Sequence, residues 1–281
     1  LIGNNIFVVD AHTHFTGVIY PQTEEERKAR WGLEQLIADM DKCGVDVAAV
    51  SSFNPMLWFS WHKSELGGNE EVAEAIRNYS KRIIGMFVPR IYADEDYLSF
   101  QIETAVKRYG FKGLKIHPWC SDIPPNAKTL QPIYEAAAKF RMPVQFHSGT
   151  APYATPLLIA EVARSYPEIP VIMGHMGKQD LWLDVIPASK LSENIYVDTS
   201  GQCIRALIEK FVEEIGPHRI LFASDWPGLY MNVEIQRIMD CDMEDKHKRM
   251  ILGENAAKLF GISRDSLTKN QIVSRDDGMP H

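Results

Sequence analysis

The stretch Ile6–His14, IFVVDAHTH, takes four apolar residues straight into Asp10, His12 and His14. A short apolar run ending on polar residues is how a parallel strand, buried on both faces, reads when its C-terminal end meets a site. Working outward, the same pattern defines eight candidate strands. They are Ile6–His12, Val47–Phe53, Ile83–Pro89, Lys112–His117, Pro143–His147, Val171–His175, Asn194–Thr199 and Arg219–Asp225. Helical periodicity fills the intervals, at Glu24–Cys43, Asn69–Ser80, Asp94–Tyr109, Leu130–Phe140, Pro156–Tyr166, Leu181–Lys190 and Ile204–Ile215. Asn232–Met239, Glu244–Leu252 and Asn255–Phe260 follow the eighth strand. Asn69 suits an N-cap, Pro156 a first helical turn, Gly44 and Gly110 C-terminal caps, and Asn255 the N-cap of the closing helix. Eight strand-then-helix units predict an α/β fold, a single (β/α)8 TIM barrel over residues 1–262, with residues 263–281 as a polar tail. An open doubly wound sheet is the alternative, and no GxGxxG follows the first strand to support it.

Composition narrows the function. The 281 residues carry 30 Lys plus Arg against 37 Asp plus Glu, a net charge of −7, with no basic tract. Nucleic-acid binding needs a positive footprint and is not expected. Hydrophobic residues make up 45%, enough for a sizeable core, so wholesale disorder is excluded. Cys43, Cys120, Cys203 and Cys241 form no CxxC pair, which removes zinc-finger and disulfide-framework readings. No apolar run approaches the ~20 residues of a membrane span. LIGNNIFVVDAH has no signal-peptide pattern, so the expectation is a soluble cytoplasmic protein. MGHMGKQ lacks the spacing of a phosphate loop, and no GxSxG announces a serine nucleophile.

The histidines are scattered in sequence and clustered in expected topology. His12, His14, His117, His147 and His175 fall at or just beyond strand ends, and Asp225 ends the eighth strand. In a barrel these ends converge on one face. In His12-Thr13-His14 the i and i+2 side chains of an extended chain share a side, so both imidazoles can reach one divalent ion. His147 and Asp225 can complete a site left open to water or substrate. The bland alternative is an incidental HTH turn with solvated histidines.

DAHTH, GLKIHP, QFHSG, MGHMG and FASDWPG occur in the order expected of the amidohydrolase superfamily. From about Phe7 to Phe260 the chain resembles its amidohydrolase-2 branch of metal-dependent hydrolases, aromatic-acid decarboxylases and lactonases. The resemblance implies His12, His14, His147 and Asp225 as ligands of one divalent ion, zinc before manganese. It also implies His175 as an acid/base or carbonyl polariser, and a homodimer. Binuclear relatives add a carboxylated lysine on strand four, where Lys115 lies; otherwise Lys115 pairs with a carboxylate inside the barrel. Some aromatic decarboxylases of the branch carry glutamate in place of the first histidine, and His12 departs from them.

Other positions stay open between two readings. His117 binds substrate or orients a ligand, or it closes its strand with a backbone hydrogen bond. Arg90 grips a substrate carboxylate or pairs with Asp94 or Asp96. In the loop Asn54–Gly68, Trp58, Phe59 and Trp61 line a substrate pocket or cover a partner surface. Trp119 and Trp182 read as packing residues. The leading expectation is a metal-dependent hydrolase of a small carboxylate-bearing ester, lactone or amide, with Asp225 taking a proton from the attacking water. The alternative is a metal-dependent non-oxidative decarboxylase of an aromatic or muconate-type acid. A barrel retained only as a binding module is a third reading, against which the full ligand set argues.

Overall fold

Apolar residues on both sides of a strand demand cover on both faces, and a closed parallel sheet ringed by helices supplies it. A computed structural model describes residues 6–15, 31–53, 66–178 and 180–264 of the chain. Its strands are β1 (Val9–Phe15), β2 (Val47–Ser52), β3 (Ile83–Phe87), β4 (Gly113–Ile116), β5 (Val144–Phe146), β6 (Val171–Met173), β7 (Ile195–Asp198) and β8 (Ile220–Leu221). Each pairs in parallel with the next, in chain order. The circle closes through Ala11 N to Phe222 O at 2.9 Å, Asp225 N to His12 O at 2.8 Å and His14 N to Trp226 O at 2.7 Å. The expected (β/α)8 barrel is the observed fold.

Helices α1 (Leu33–Cys43), α2 (Glu70–Asn78), α3 (Glu95–Tyr109), α4 (Gln131–Phe140), α5 (Pro156–Ser165), α6 (Trp182–Ser189) and α7 (Arg205–Ile215) separate successive strands. After β8 come α8 (Met231–Met239), α9 (Asp245–Arg249) and α10 (Asn255–Phe260). Alternation along the strands sorts the core into two layers. Val9, Ala11, Val47, Ala49, Ile84 and Met86 belong to an inner set against which Ala256, Ala257 and Phe260 of α10 pack. Ile83, Phe87, Leu114, Ile116, Val144 and Phe146 face the helices instead. Lys115, Gln145 and Asp198, on β4, β5 and β7, are also fully or almost fully buried. No helix among the described residues is long and apolar enough to cross a membrane.

Gly44 and Gly110 end α1 and α3 in the left-handed conformation, and Pro156 opens α5, as expected. Several boundaries differ. β1 runs past His12 to Phe15, because a register shift between Asp10 and Thr13 lets it stay paired with β2. β8 is two residues rather than seven, because Phe222 N donates to Ile251 O at 2.8 Å instead of extending the ladder. Ile251 belongs to a π-helical turn, Met250–Glu254, which joins α9 to α10 without a break. Asn255 is therefore not an N-cap. It has helical backbone angles, and its Nδ2 donates to Pro217 O and Ile220 O, both at 2.7 Å. Asn69 does stand at the start of α2. Its amide, however, bonds Leu66 O and Val88 O and accepts from Val88 N, tying the helix to the end of β3.

The bridging role of Asn255 separates two substitutions. Asn255→Ala leaves two carbonyls short of a donor and should lower stability by about 1–3 kcal/mol. Asn255→Ser, which would preserve a cap, should be equally destabilising in urea unfolding. Recovery of stability by serine would restore the capping role.

Candidate metal centre

The bulge in β1 is built around Asp10. Its Oδ1 accepts from His12 N at 3.1 Å and from Ser224 N at 3.0 Å, which aligns the start of the HTH with the end of β8. His12 and His14 then project together, with their Nε2 atoms 3.0 Å apart. Asp225 Oδ1 lies 3.3 Å from His14 Nε2 and 3.7 Å from His12 Nε2. Its backbone is left-handed, φ 58°, which turns the carboxylate off the strand direction. One ligand atom each from His12, His175 and Asp225 falls within 4.8 Å of the others.

His175 reaches this group by an unusual backbone. It follows β6 in a short turn, Gly174–Gly177, with φ 64° at His175 and 46° at Met176. Non-glycine residues seldom adopt such angles, and the position costs roughly 1–3 kcal/mol unless its surroundings hold it. Two bonds do: Asp198 Oδ1 accepts from His175 N at 2.8 Å, and Ser200 Oγ lies 2.9 Å from His175 Nδ1. His147 joins through His175, with its Nδ1 3.0 Å from His175 Nε2, while its own Nε2 contacts Thr150 Oγ1 at 2.9 Å. His117 stacks on His147, ring centroids 3.9 Å apart and 11° from parallel. Its Nδ1 also accepts from Cys120 N at 3.3 Å, so it closes the turn after β4 as well as facing the mouth.

The residues present suit a divalent cation. Asp198 Oδ2 lies 2.9 Å from His12 Nδ1 and Ser51 Oγ lies 2.8 Å from His14 Nδ1. With both Nδ1 atoms engaged, the Nε2 lone pairs are the ones turned inward, the arrangement by which a neighbouring carboxylate orients a metal-binding imidazole. The Lys115 ammonium already sits on that spot, its Nζ 2.6 Å from His12 Nε2. A cation held against inward lone pairs is what this donor set favours.

Burial governs the protonation states. It lowers the His14 imidazole to about 4, and it lowers His175 to about 3 despite the nearby Asp225 and Asp198. His117 and His147 are pushed well below the usual histidine range, first by burial and then by neighbouring positive charge. Burial brings Lys115 down to about 8, with Asp198 and Asp225 opposing. For Asp198 and Asp225 burial alone would raise the carboxyl. Their histidine neighbours outweigh it and hold both below the ordinary carboxylate range. Asp10 is pushed up to about 7 by burial, with the negative charge of Asp198 adding to it and bonds from Ser224 and His12 opposing.

Of the residues singled out in the sequence, the structure brings His12, His14, His175 and Asp225 together, with His147 and His117 behind His175. Arg90 follows β3; its backbone bonds the Gln101 side chain, and its guanidinium carbon stands 6.0 Å from the Tyr97 ring. Trp58, Phe59 and Trp61 lie outside the described residues. Trp119 is no core residue; it is 52% exposed, 6.4 Å from the His117 ring. Four buried residues that hold the cluster went unread in the sequence: Ser51, Gln145, Asp198 and Ser200. Asp198 alone carried a signal, being the polar end of the apolar run IYVD.

The family model described as Amidohydrolase, of the amidohydrolase-2 type, matches residues 9–262. The chain belongs to that family, and its barrel mouth carries the metal-dependent active site of an enzyme. It is 22% identical over 284 residues to a gamma-resorcylate decarboxylase of Polaromonas sp., covering 83% of this chain and 85% of that protein. Its fold is similar to that of a 5-carboxyvanillate decarboxylase from Novosphingobium aromaticivorans, solved with manganese and 4-hydroxy-3-methoxy-5-nitrobenzoic acid. That match has a TM-score of 0.73 and 20% identity, over 92% of this chain and 97% of the other. A dihydroxybenzoic acid decarboxylase from Polaromonas, with bound manganese and 2-nitroresorcinol, gives a TM-score of 0.73 at 17% identity, over 94% and 99%.

The protonation pattern sets the sign of a pH response. Four histidines with lowered values bind protons in the unfolded chain before the folded one, so each destabilises the fold as pH drops below 6.5. Asp10 and Glu234, both raised to about 7, act the opposite way over much of the same range. Four outweigh two, leaving a net uptake of about two protons on unfolding near pH 5. Metal-stripped protein should therefore lose stability steadily from pH 6.5 to 4.5 in urea titrations. A flat or rising profile would contradict these protonation states.

Proposed function

We propose that this chain is a metal-dependent non-oxidative decarboxylase of a small aromatic carboxylic acid. The observation that carries the reading is the likeness to gamma-resorcylate decarboxylase, which extends over 83% of a chain whose barrel mouth converges on His12, His175 and Asp225. The hydrolase expectation yields to it, since none of the three relatives described above is named for hydrolysis. Departure from glutamate at position 12 is compatible, because an imidazole whose Nδ1 faces Asp198 still offers Nε2. We assign the catalytic domain to residues 1–262, and free cysteines among the described residues favour a reducing compartment such as the cytoplasm.

We assign His12 Nε2, His14 Nε2, His147 Nδ1 and Asp225 as the groups that would hold the ion, manganese by likeness to the two solved decarboxylases and zinc by imidazole content. When bound, the ion supplies Lewis-acid polarisation of substrate oxygens and a fixed point for orienting them. The chain's own residues handle the proton. Loss of carbon dioxide requires that the ring carbon releasing it gain a hydrogen. Asp225, ionised and with a side chain 25% exposed at the mouth, accepts a proton from a substrate hydroxyl and returns it to that carbon. His175, neutral and held by Ser200, presents Nε2 to the substrate and keeps it in line with Asp225. The crowded imidazoles exclude water, so the substrate's carboxylate is poorly solvated and its loss is favoured.

Protein as purified should contain about one equivalent of a divalent transition ion by elemental analysis. His12→Ala and His147→Ala should bind it far more weakly, and full activity after exhaustive chelation would remove the metal from the reaction.

Carbon dioxide release should be seen with 2,6-dihydroxybenzoate or a related hydroxybenzoate, and no acid release from a lactone panel. Asp225→Asn and His175→Asn should each lower turnover by about 10²–10⁴-fold. His175→Asn should keep its metal and its thermal midpoint. Parallel loss of metal, fold and activity in His175→Asn would make that residue structural.

A further inference from the structure

Asp225 leaves β8 with a left-handed backbone, φ 58°, so the direction of its carboxylate depends on how firmly its two neighbours in the chain are held. On one side, Ser224 N donates to Asp10 Oδ1 at 3.0 Å. On the other, Trp226 is tied at both its backbone and its ring. Its N donates to Ser224 Oγ at 3.1 Å, its O accepts from His14 N at 2.7 Å, and its indole Nε1 donates to Asp39 Oδ2 at 2.9 Å. The first two bonds lie in the seam between β8 and β1. The third leaves the barrel for the helix layer, 187 residues back along the chain.

Asp39 is a firm point to tie to. It lies on α1 between Leu36 and Met40, both fully buried, and its Oδ1 accepts from Gln35 Nε2, one turn earlier, at 3.2 Å. Trp226 is only 5% exposed, so its indole N–H has to meet a partner inside the protein. An indole offers one donor in one direction, and the bond to Asp39 therefore selects the ring rotamer. A large buried ring pinned at its far end fixes its own Cα, and with it the peptide that follows Asp225. Misplacing a reacting group by about 1 Å can cost about 10²-fold, so a tether of this kind matters even from outside the site.

We propose that Asp39 is a positioning residue for the metal centre. Through the indole of Trp226 it holds the Asp225 carboxylate 3.3 Å from His14 Nε2 and 3.7 Å from His12 Nε2. The inference rests on the reading of Asp225 as a group that would hold the ion, and it adds a contribution from the helix layer to a site otherwise built from strand ends. Asp39 acts through Trp226 and is not itself a catalytic residue.

Manganese affinity of the full chain tests it, measured by calorimetry or by the electron paramagnetic resonance of the free ion. Asp39→Ala and Trp226→Phe each remove the bond and should weaken manganese binding about tenfold. The double variant should match either single one within about twofold, because both act through one contact. Asp39→Asn keeps an oxygen that accepts from the indole, and it should stay within about threefold of wild type. In a proton–nitrogen correlation spectrum the indole signal of Trp226, identified by its loss in Trp226→Phe, should move further in Asp39→Ala than in Asp39→Asn. Alanine suits a helix, so Asp39→Ala should fold; an unfolded Asp39→Ala would make the residue a stability element and overturn the proposal. A lowered thermal midpoint with unchanged manganese affinity overturns it too, as do losses that multiply in the double variant or an Asp39→Asn as weak as Asp39→Ala. Carbon dioxide release from 2,6-dihydroxybenzoate, followed on the same samples, reports on the decarboxylase reading separately. Coupled loss of affinity in the variants, without release by wild type, supports the tether and overturns that reaction. Release by wild type, with affinities unchanged in the variants, does the reverse.

Discussion

Everything at the mouth of this barrel is arranged around one buried carboxylate. Asp198, at the end of β7, accepts hydrogen bonds from the Gln145 amide, the His175 and Ser200 backbones and the Ser200 hydroxyl, and it faces His12 Nδ1. Five donors on one carboxylate explain how it stays ionised with no exposure to water. Three of the donors tie other strands to it: β1 through His12, β5 through Gln145 and β6 through His175. An amide in its place would bring two hydrogens of its own against donors already present.

The charge of Asp198 also has an electrostatic partner set. Lys115 on β4 and Asp225 beyond β8 complete a closely spaced system of alternating sign. In so dry a setting, adding or removing a single proton is expensive. His14, His117, His147 and His175 therefore remain lone-pair donors across the ordinary pH range.

Much of this is legible in the sequence. Strand ends are readable because a doubly buried strand must be apolar until it reaches the loop face, and the i, i+2 spacing of His12 and His14 needs only an extended chain. Asp198 sits in the same pattern, as the end of IYVD, but a lone carboxylate has no i, i+2 partner to mark it as the histidines of HTH do. Ser51, Gln145 and Ser200 had no local signal; their roles exist only where strands distant in sequence meet. The same is true of the misread boundaries. Asn255 is a good cap by type, but two carbonyls near β8 claimed its amide. β8 was cut short because Ile251 supplied the bond that a longer ladder would have used. The left-handed turn at His175 was unreadable for another reason: residue type predicts such angles at glycine, and here tertiary bonds impose them on histidine and methionine.

The closure of the barrel through β1 and β8 has a consequence for how the protein comes to exist. Ser224 N bonds Asp10 across 214 residues of sequence, and His12 bonds Asp198 across 186. Contacts that span so much chain form late, since the entropy of closing a long loop must be met before they return anything. The catalytic cluster is thus among the last parts to assemble, after strands two to seven have paired with their neighbours. During synthesis His14 meets Ser51 after 37 residues, whereas His12 stays without Asp198, the carboxylate that orients it, for 186. The group around His12 is therefore complete only once the end of β8 has closed on β1 and carried Asp225 to it.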